Sequence, residues 1–477
     1  MHNTIKTFLS LIGVAACLSA QSWVEINDGP KPVGKDGDDG TRRDAIIRSE
    51  YLDLRASPAT TPGGATITYV HPSCIDETKE GTIVIGCNAG TSEGEGSNRV
   101  FVTRKPVGGE WSVPQMIQNE GSIDYGVMYQ ARHNDNDTII CGYWWPTGCC
   151  DEGGFQYSVD DGQTWSDIIA CPPSDLWTSG NMTLGMNHPL EFPNGDLWFP
   201  SADFRTAFDC DSRITKVPWG SYINTANWTA ADVEGTSQAD AGHYMGDWLV
   251  LDPDYQHLMR FTRYNFKEGT YFKNSYDGGA TWEDGWTKVP QDLSNGMSCV
   301  SLSPNDPNHP LNGYHLVTGS KHGTRRGRMD VCISDNPAAN EWTRVLELNF
   351  IPWNGPKYEE NADPTIFQSR DGSKVHLLFT GRDGAELKYY LIDAYKLCDV
   401  DATVAGRVPG SGINYRHGTS NSIAVFGPSG KCLYRKDNLP AGEFELSRYV
   451  PGLSTGMYYV SIRNRTGVSV VKRFITN

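Results

Sequence analysis

Two stretches of the chain, Ser158-Val159-Asp160-Asp161-Gly162-Gln163-Thr164-Trp165 and Ser275-Tyr276-Asp277-Gly278-Gly279-Ala280-Thr281-Trp282, share the pattern Ser-x-Asp-x-Gly-x-Thr-Trp. An Asp side chain accepts hydrogen bonds from backbone just downstream, a Gly supplies the positive φ of a tight turn, and a Trp packs beneath it. Two octets that match at every fixed position point to an internally repeated fold.

Degenerate copies extend the series. Trp111, Trp165, Trp228, Trp282 and Trp342 recur every 54 to 63 residues, each after a short alternating strand such as residues 99–103 or 328–333. A second series, out of phase with the first, reads strand, turn and apolar strand. Its copies begin near His71, Tyr125, Asn187, Asp247, Ser298 and Asp363, 51 to 65 residues apart. Together the two series predict an inner and an outer hairpin repeated six times, an all-β, six-bladed β-propeller over residues 46–398. The sixth unit lacks its Trp. There residues 388–393 are expected to supply the third strand, and a segment near residues 50–54 to close the ring. A pair of β-sandwiches, the competing architecture, has no need of two interleaved six-fold series.

The 51 glycines and 14 tryptophans among 477 residues suit such a turn-rich, aromatic-packed protein. A formal net charge of −16 offers no basic face to nucleic acid and no polybasic patch to an anionic membrane. At the N-terminus, Lys6 precedes an apolar run at residues 8–18 that is too short to span a bilayer, so residues 1–20 read as an export signal. Val14-Ala15-Ala16-Cys17 offers a lipoprotein box as the alternative, with Cys17 acylated; either way the protein is expected to be secreted or held at the cell surface. Residues 21–45, with a Gly/Asp run at 34–40, are expected to form a flexible leader. The 12 cysteines are expected to form structural disulfides outside the cytoplasm, with Cys74 and Cys87 one pair. Neither a CxxC nor an HExxH motif occurs, and no metal or cofactor is expected. Residues 401–477 form short alternating strands with Gly-rich turns, the pattern of a small C-terminal β-sandwich-like domain. A monomer is expected.

With two intact octets in a six-fold layout, residues 65–397 resemble the sialidase (BNR/Asp-box repeat) superfamily. The segments His71–Gly86 (HPSCIDETKEGTIVIG), Thr91–Gly94 (TSEG), Asn187–Pro200 (NHPLEFPNGDLWFP) and Ala362–Thr380 (ADPTIFQSRDGSKVHLLFT) resemble its BNR-repeat branch. The resemblance implies an exo-acting glycoside hydrolase that removes a terminal sugar from a glycan or polysaccharide, with the octets on the rim away from the active site. The tail resembles the sorting domain of type IX secretion through residues 425–431, 456–460 and 471–475. That likeness implies an outer-membrane secretion machinery as partner.

A propeller gathers loops at one end of its axis, where inner strands begin and second strands end. The sequence places His71, Tyr125, His188, Asp247, Glu360 and Asp363 at strand starts, and Glu93, Asp203, Arg260, Arg263, Tyr264 and Arg382 at second-strand ends. Carboxylates, arginines and aromatics in one mouth suit a sugar. Glycoside hydrolysis needs a proton donor and a second carboxylate or equivalent group held apart. Glu93 is the candidate acid/base, with Glu360 or Asp363 as its partner and His71 as a general base. Arg260, Arg263 and Arg382 are candidates to bind a substrate carboxylate; Tyr125, His188, Asp203 and Tyr264 complete the substrate-binding set. Each has a plainer alternative: a solvated loop carboxylate for Glu93, a strand brace for Asp363, a buried structural imidazole for His71, and salt bridges for the arginines. Asp135 and Asp137 read as a hairpin turn rather than metal ligands.

The sequence also departs from the sialidases it resembles. Their arginine triad begins in a Tyr-Arg-Ile-Pro-like motif, where this chain has Tyr69-Val70-His71-Pro72, and their first-blade acid/base Asp is replaced by a loop holding Glu93 and Glu95. Sialic acid is therefore not the expected substrate. Two further readings stand: a polysaccharide lyase using His71 with Tyr125 or Tyr264, and a non-catalytic carbohydrate-binding propeller.

Overall fold

Strands form where the sequence alternates, and they assemble into six sheets ordered as the repeats predict. Lettered a to d, the strands of blade 1 are Tyr69–Glu77, Ile83–Gly90, Arg99–Lys105 and Gln115–Gln118. Those of blade 2 are Asp124–Gln130, Ile139–Trp145, Glu152–Ser158 and Ile169–Ala170. Blade 3 comprises Leu190–Glu191, Leu197–Phe204, Cys210–Val217 and Thr229–Asp232, and blade 4 His243–Val250, Leu258–Tyr264, Thr270–Ser275 and Thr287–Lys288. Blade 5 comprises Met297–Ser301, His315–Lys321, Arg328–Ser334 and Thr343–Leu348. Blade 6 takes strands a to c from Asn361–Gln368, Lys374–Gly381 and Glu386–Asp393, and its d strand, Ile46–Asp53, from near the N-terminus. That strand pairs antiparallel with strand c, Glu50 opposite Tyr389, which closes the ring.

The computed structural model describes residues 24–25, the propeller residues 42–400, and residues 420–426, 432–437, 456–464 and 467–475. Within the propeller, segments 57–59, 61–62, 93–96, 119–123, 134–136, 146–151, 205–209, 234–242, 265–268, 290–296, 322–327, 349–360 and 382–384, and residues 179, 186 and 337, lie outside the description. So do residues 1–20, where an export signal with Cys17 was expected, and most of the expected leader. The C-terminal strands Ser420–Phe426, Cys432–Asp437, Gly456–Asn464 and Gly467–Ile475 form a separate four-stranded antiparallel sheet.

Apolar residues on both faces of each sheet bury against the neighbouring blades, and each of the six blade interfaces holds its own cluster. Val84, Met128 and Ile139 lie between blades 1 and 2, for instance, and Leu316, Val331, Leu377 and Phe379 between blades 5 and 6. The repeated tryptophans explain their own spacing. Trp111, Trp165, Trp228, Trp282 and Trp342 each pack from one blade into the interface with the preceding blade. In blade 6 the chain after strand c turns into the short helix Ala394–Cys398, capped by the Asp393 carboxylate, whose oxygen accepts from the Tyr395 and Lys396 amides. Tyr395 and Leu397 of that helix fill the interface with blade 5, where the sixth Trp would have gone.

The Ser, Asp, Gly and Thr of the octet hydrogen-bond to one another, while the Trp packs. Asp277 accepts from the Thr281 amide at 2.8 Å and hydroxyl at 2.6 Å, and Ser275 Oγ accepts from the Gly279 amide at 2.8 Å. Asp160, Thr164, Ser158 and Gly162 repeat this arrangement. The residue after each Asp is in the left-handed region, Asp161 at φ 61° and Gly278 at φ 67°. Asp161 also reaches blade 1, accepting from the Thr78 and Thr82 hydroxyls and from Arg104 Nη2, each at 2.6 Å.

The expected disulfide framework is not present among the described residues: eight described cysteines are buried free thiols. Cys74 and Cys87 do not pair because Cys74 lies opposite Gly86 and Cys87 opposite Ser73. Their side chains therefore point to opposite faces of the sheet, Cys74 toward blade 2 and Cys87 toward blade 6.

Candidate functional site

Strand a of every blade runs away from the end of the axis at which strand b finishes, so inner-strand starts and second-strand ends share one mouth. Four of the inner strands carry a bulge there, between residues 70 and 73, 124 and 126, 244 and 247, and 362 and 365. A bulge leaves a residue unpaired and re-aims its side chain. In blades 1 and 6 the bulges contain His71-Pro72 and Asp363-Pro364, and proline, lacking an amide hydrogen, suits such a break in the ladder.

These two bulges face each other across the ring closure. His71 Nε2 lies 2.6 Å from Asp363 Oδ2, with side-chain exposures of 3% and 1%. Asp363 adopts φ 40°, a left-handed conformation that costs a non-glycine residue energy and that clusters at functional sites. The Tyr69 ring and the imidazole lie in a T-shaped arrangement with centres 6.1 Å apart. A buried carboxylate bonded to an imidazole fixes ring orientation and stabilises imidazolium, the relation of an orienting acid to a general base. The base of the loop carrying Glu93 is tied as well: Thr91 Oγ1 and Ser97 Oγ share a hydrogen bond of 2.7 Å, and Thr68 Oγ1 donates to the Thr91 carbonyl at 2.8 Å.

Asp247 is a second buried carboxylate near the bulge of blade 4. It accepts from Ser298 Oγ and the Cys299 amide, both at 2.7 Å, and from the Trp248 amide at 2.8 Å. Burial nevertheless pushes its carboxyl up to about 7, against those bonds and the nearby Arg260 charge. Ser298 Oγ accepts in turn from the Ile366 amide, so the group joins the inner strands of blades 4, 5 and 6. Sequence reasoning named Asp247 only as a strand start; Gly246, in the bulge just before it, was the available signal. Asn187 makes a comparable link, donating from Nδ2 to the Gly246 and Met297 carbonyls.

Two of the candidates, Arg260 and His188, lie away from the mouth. Arg260 is fully buried between blades 3 and 4, with Nη2 3.1 Å from Ser212 Oγ and its guanidinium 4.4 Å from the Trp248 ring centre. It is a packing residue of that interface, third in strand 4b rather than at its end. His188 sits deeper along the axis, its Nε2 2.6 Å from the Ile75 carbonyl and its ring against Phe367 and Tyr129; burial lowers its pKa. Asp203 is buried and accepts from the Thr178 amide and hydroxyl at 3.0 and 2.9 Å, which ties down the segment that links blades 2 and 3. Arg263 is half-buried, one residue before the end of strand 4b. Tyr125 and Tyr264 are placed by backbone at the mouth ends of strands 2a and 4b. Glu93, Glu360 and Arg382 lie outside the described residues. No three His, Cys, Asp or Glu side chains among the described residues are grouped to hold a metal ion, and Asp137 instead pairs with Lys79.

The opposite end of the axis is closed by a network between blades. The Asp76 carboxylate accepts from Arg132 and from the Gln130 amide, both at 2.6 Å. Burial alone would raise the Asp76 carboxyl, but Arg132, together with His188 and Arg370, outweighs it and holds it below its ordinary value. Arg370 of blade 6 donates to the Glu77 and Gln130 carbonyls at 2.8 Å, and Glu191 of blade 3 accepts from the Tyr129 hydroxyl and the Arg132 and His133 amides.

The sequence profile described as "BNR repeat-like domain" matches residues 81–377. The chain finds no significant match among curated proteins. Among solved structures it is similar to the Hadza microbial sialidase Hz136, at 12% identity and a TM-score of 0.53, covering 68% of this chain and 66% of that one, just under two thirds of its length. It is likewise similar to a Trypanosoma rangeli sialidase held as a covalent intermediate with 2,3-difluorosialic acid, at 12% identity and a TM-score of 0.52, covering 89% and 88%. The NanB sialidase from Streptococcus pneumoniae (K499G mutant) follows at 10% identity and a TM-score of 0.50, covering 72% and 70%. At these identities the likeness is one of fold.

Proposed function

Because this chain belongs to the BNR repeat-like domain family, we propose that it is a carbohydrate-active enzyme of the sialidase superfamily, an exo-acting glycoside hydrolase. Its reaction takes place at the mouth marked by His71 and Asp363. The observation that carries this reading is the buried 2.6 Å contact between those two side chains, held on facing bulges with Asp363 in a left-handed backbone conformation. In this reading Asp363 is the carboxylate that His71 holds in place, and Glu93, three residues beyond strand 1b, supplies the proton to the leaving oxygen. Sialidases among the structural neighbours support the reaction class; His71 in place of the first triad arginine argues for a sugar other than sialic acid.

A polysaccharide lyase is the second reading, and the same contact favours it, since an Asp-oriented imidazole is suited to abstract a proton beside a uronate carboxylate. Incubating the full-length protein with a panel of glycans and polysaccharides separates the readings. Release of a reducing sugar without ultraviolet absorbance supports the hydrolase, and an absorbing unsaturated product supports the lyase. Binding with no turnover on any substrate would overturn both. Glu93→Gln should reduce hydrolysis by at least about 100-fold with an unchanged Tm; activity above a tenth of wild type would remove Glu93 from its role.

A further inference from the structure

Cys74 of strand 1a and Cys141 of strand 2b face each other across the interface of blades 1 and 2, both buried in one apolar cluster with Val84, Val102, Met128 and Ile139. The Cys74 thiol donates to the Gly86 carbonyl at 3.5 Å, which holds it on the face of strand 1b that looks toward blade 2. Glycine makes the room. A Cβ built on Gly86 would lie 3.0 Å from Cys74 Sγ and 3.8 Å from Cys141 Sγ, and one built on Gly126 would lie 3.5 Å from Cys74 Sγ. Both sulfurs therefore border the same space above Gly86. The remaining wall is Met128 Cε, 3.0 Å from the same point, on a side chain that is readily repacked.

We propose that Cys74 and Cys141 form an inter-blade disulfide when the chain folds in an oxidising environment. The oxidant is a small disulfide such as oxidised glutathione. One cysteine thiolate attacks it to give a mixed disulfide, releasing one glutathione thiol. The second cysteine then displaces the other, so one disulfide is reduced to two thiols, which take up the two protons, while Cys74 and Cys141 are oxidised. Burial pushes the Cys74 thiol well above its ordinary pKa, so few thiolates exist once the blades have packed. The exchange accordingly belongs to folding, before the interface shuts. The product is a staple between blades three residues downstream of His71 on the same strand, and it stands whatever reaction the mouth performs.

The full-length protein, refolded with oxidised glutathione and again with a reductant, is denatured, alkylated and digested without reduction for mass spectrometry. The expected result is a linked pair of peptides carrying Cys74 and Cys141, two hydrogens lighter than the sum of the separate peptides, while Cys87, Cys171, Cys299 and Cys332 carry the alkyl label. The oxidised form should melt about 5 °C above the reduced form, given the long loop enclosed, and Cys141→Ala should abolish that difference. An alkylated Cys74 in the oxidised sample, its linkage to another cysteine, or a difference that persists in Cys141→Ala would overturn the proposal. Peptide mapping needs no variant, so it holds even if Cys141→Ala folds poorly.

Discussion

Asp161→Ala should weaken the propeller by breaking the bridge that the first octet makes to blade 1. The carboxylate accepts three side-chain bonds of 2.6 Å, from Thr78, Thr82 and Arg104. Asp161 and Arg104 side chains remain 20% and 19% exposed, so each bond counts for about 1 kcal/mol rather than the upper range for charged partners. The sum is a loss of ~3 kcal/mol. Spread over an unfolding entropy of ~2.1 cal/mol/K per residue for about 350 propeller residues, that lowers Tm by about 4 °C. The position also has φ 61°, so alanine keeps a left-handed strain of ~1 kcal/mol that glycine escapes, offset in part by the greater freedom of an unfolded glycine. Asp161→Gly should therefore melt slightly above Asp161→Ala, although glycine removes the same three bonds. Differential scanning fluorimetry on both variants, with glycan turnover measured beside it, tests the argument. A loss under about 1 °C for alanine, or glycine melting below alanine, would refute it. A fall in turnover at a temperature where the variant is folded would refute the placement of the octet away from the mouth.

Other expectations follow from single contacts. Hydrogen bonds from the Thr281 hydroxyl and amide hold the Asp277 carboxyl down at about 2, so its contribution is present above its unfolded pKa and is lost as pH falls toward 2. The Tm gap between wild type and Asp277→Ala should shrink over that acidic window, and a gap constant with pH would contradict this. Asp247 behaves with the opposite sign: with its carboxyl raised to about 7, its contribution is full at acidic pH and declines from about pH 4 to 7. Asp247→Asn should flatten the fall in Tm across that range; an unchanged slope would refute the assignment. Gly246→Ala would set a methyl 2.3 Å from the Arg260 guanidinium carbon, which is fully buried and cannot swing away. A Tm drop of about 1–4 °C is expected from about 1–3 kcal/mol of overpacking, and a neutral result would show that Arg260 is free to move.

The fold was legible because its information is periodic. Trp111 to Trp342 mark one interface each, and Tyr389 and Glu50 sit in strands where the ring closure was expected. The sixth Trp was absent because the chain ends its blade with a helix, a substitution that periodicity cannot announce. The site was legible only in part. His71 and Asp363 were named from their strand starts, but nothing in the sequence set them in contact, since that depends on two bulges in blades 1 and 6. Arg260 misled because the sequence reading set it at the end of its strand, whereas it stands third in the strand with its charge against the Trp248 face inside the protein. The cysteines misled for a similar reason: spacing along the chain suggested Cys74 with Cys87, and strand pleating turned them apart.

Closing the ring with Ile46–Asp53 has a consequence for the order of events during synthesis. This strand leaves the ribosome early, yet its partner Glu386–Asp393 is made more than 300 residues later. Val24–Glu25 pairs along one edge of it, but at ~5–20 residues per second the edge that strand c will take waits unpaired on the order of 15–60 s. Arg48 and Glu50 within it supply the charges that keep an unpaired strand from joining a neighbour's. The ring is thus completed from its two ends at once, and only after the last blade exists does the bulge bearing Asp363 meet the one bearing His71.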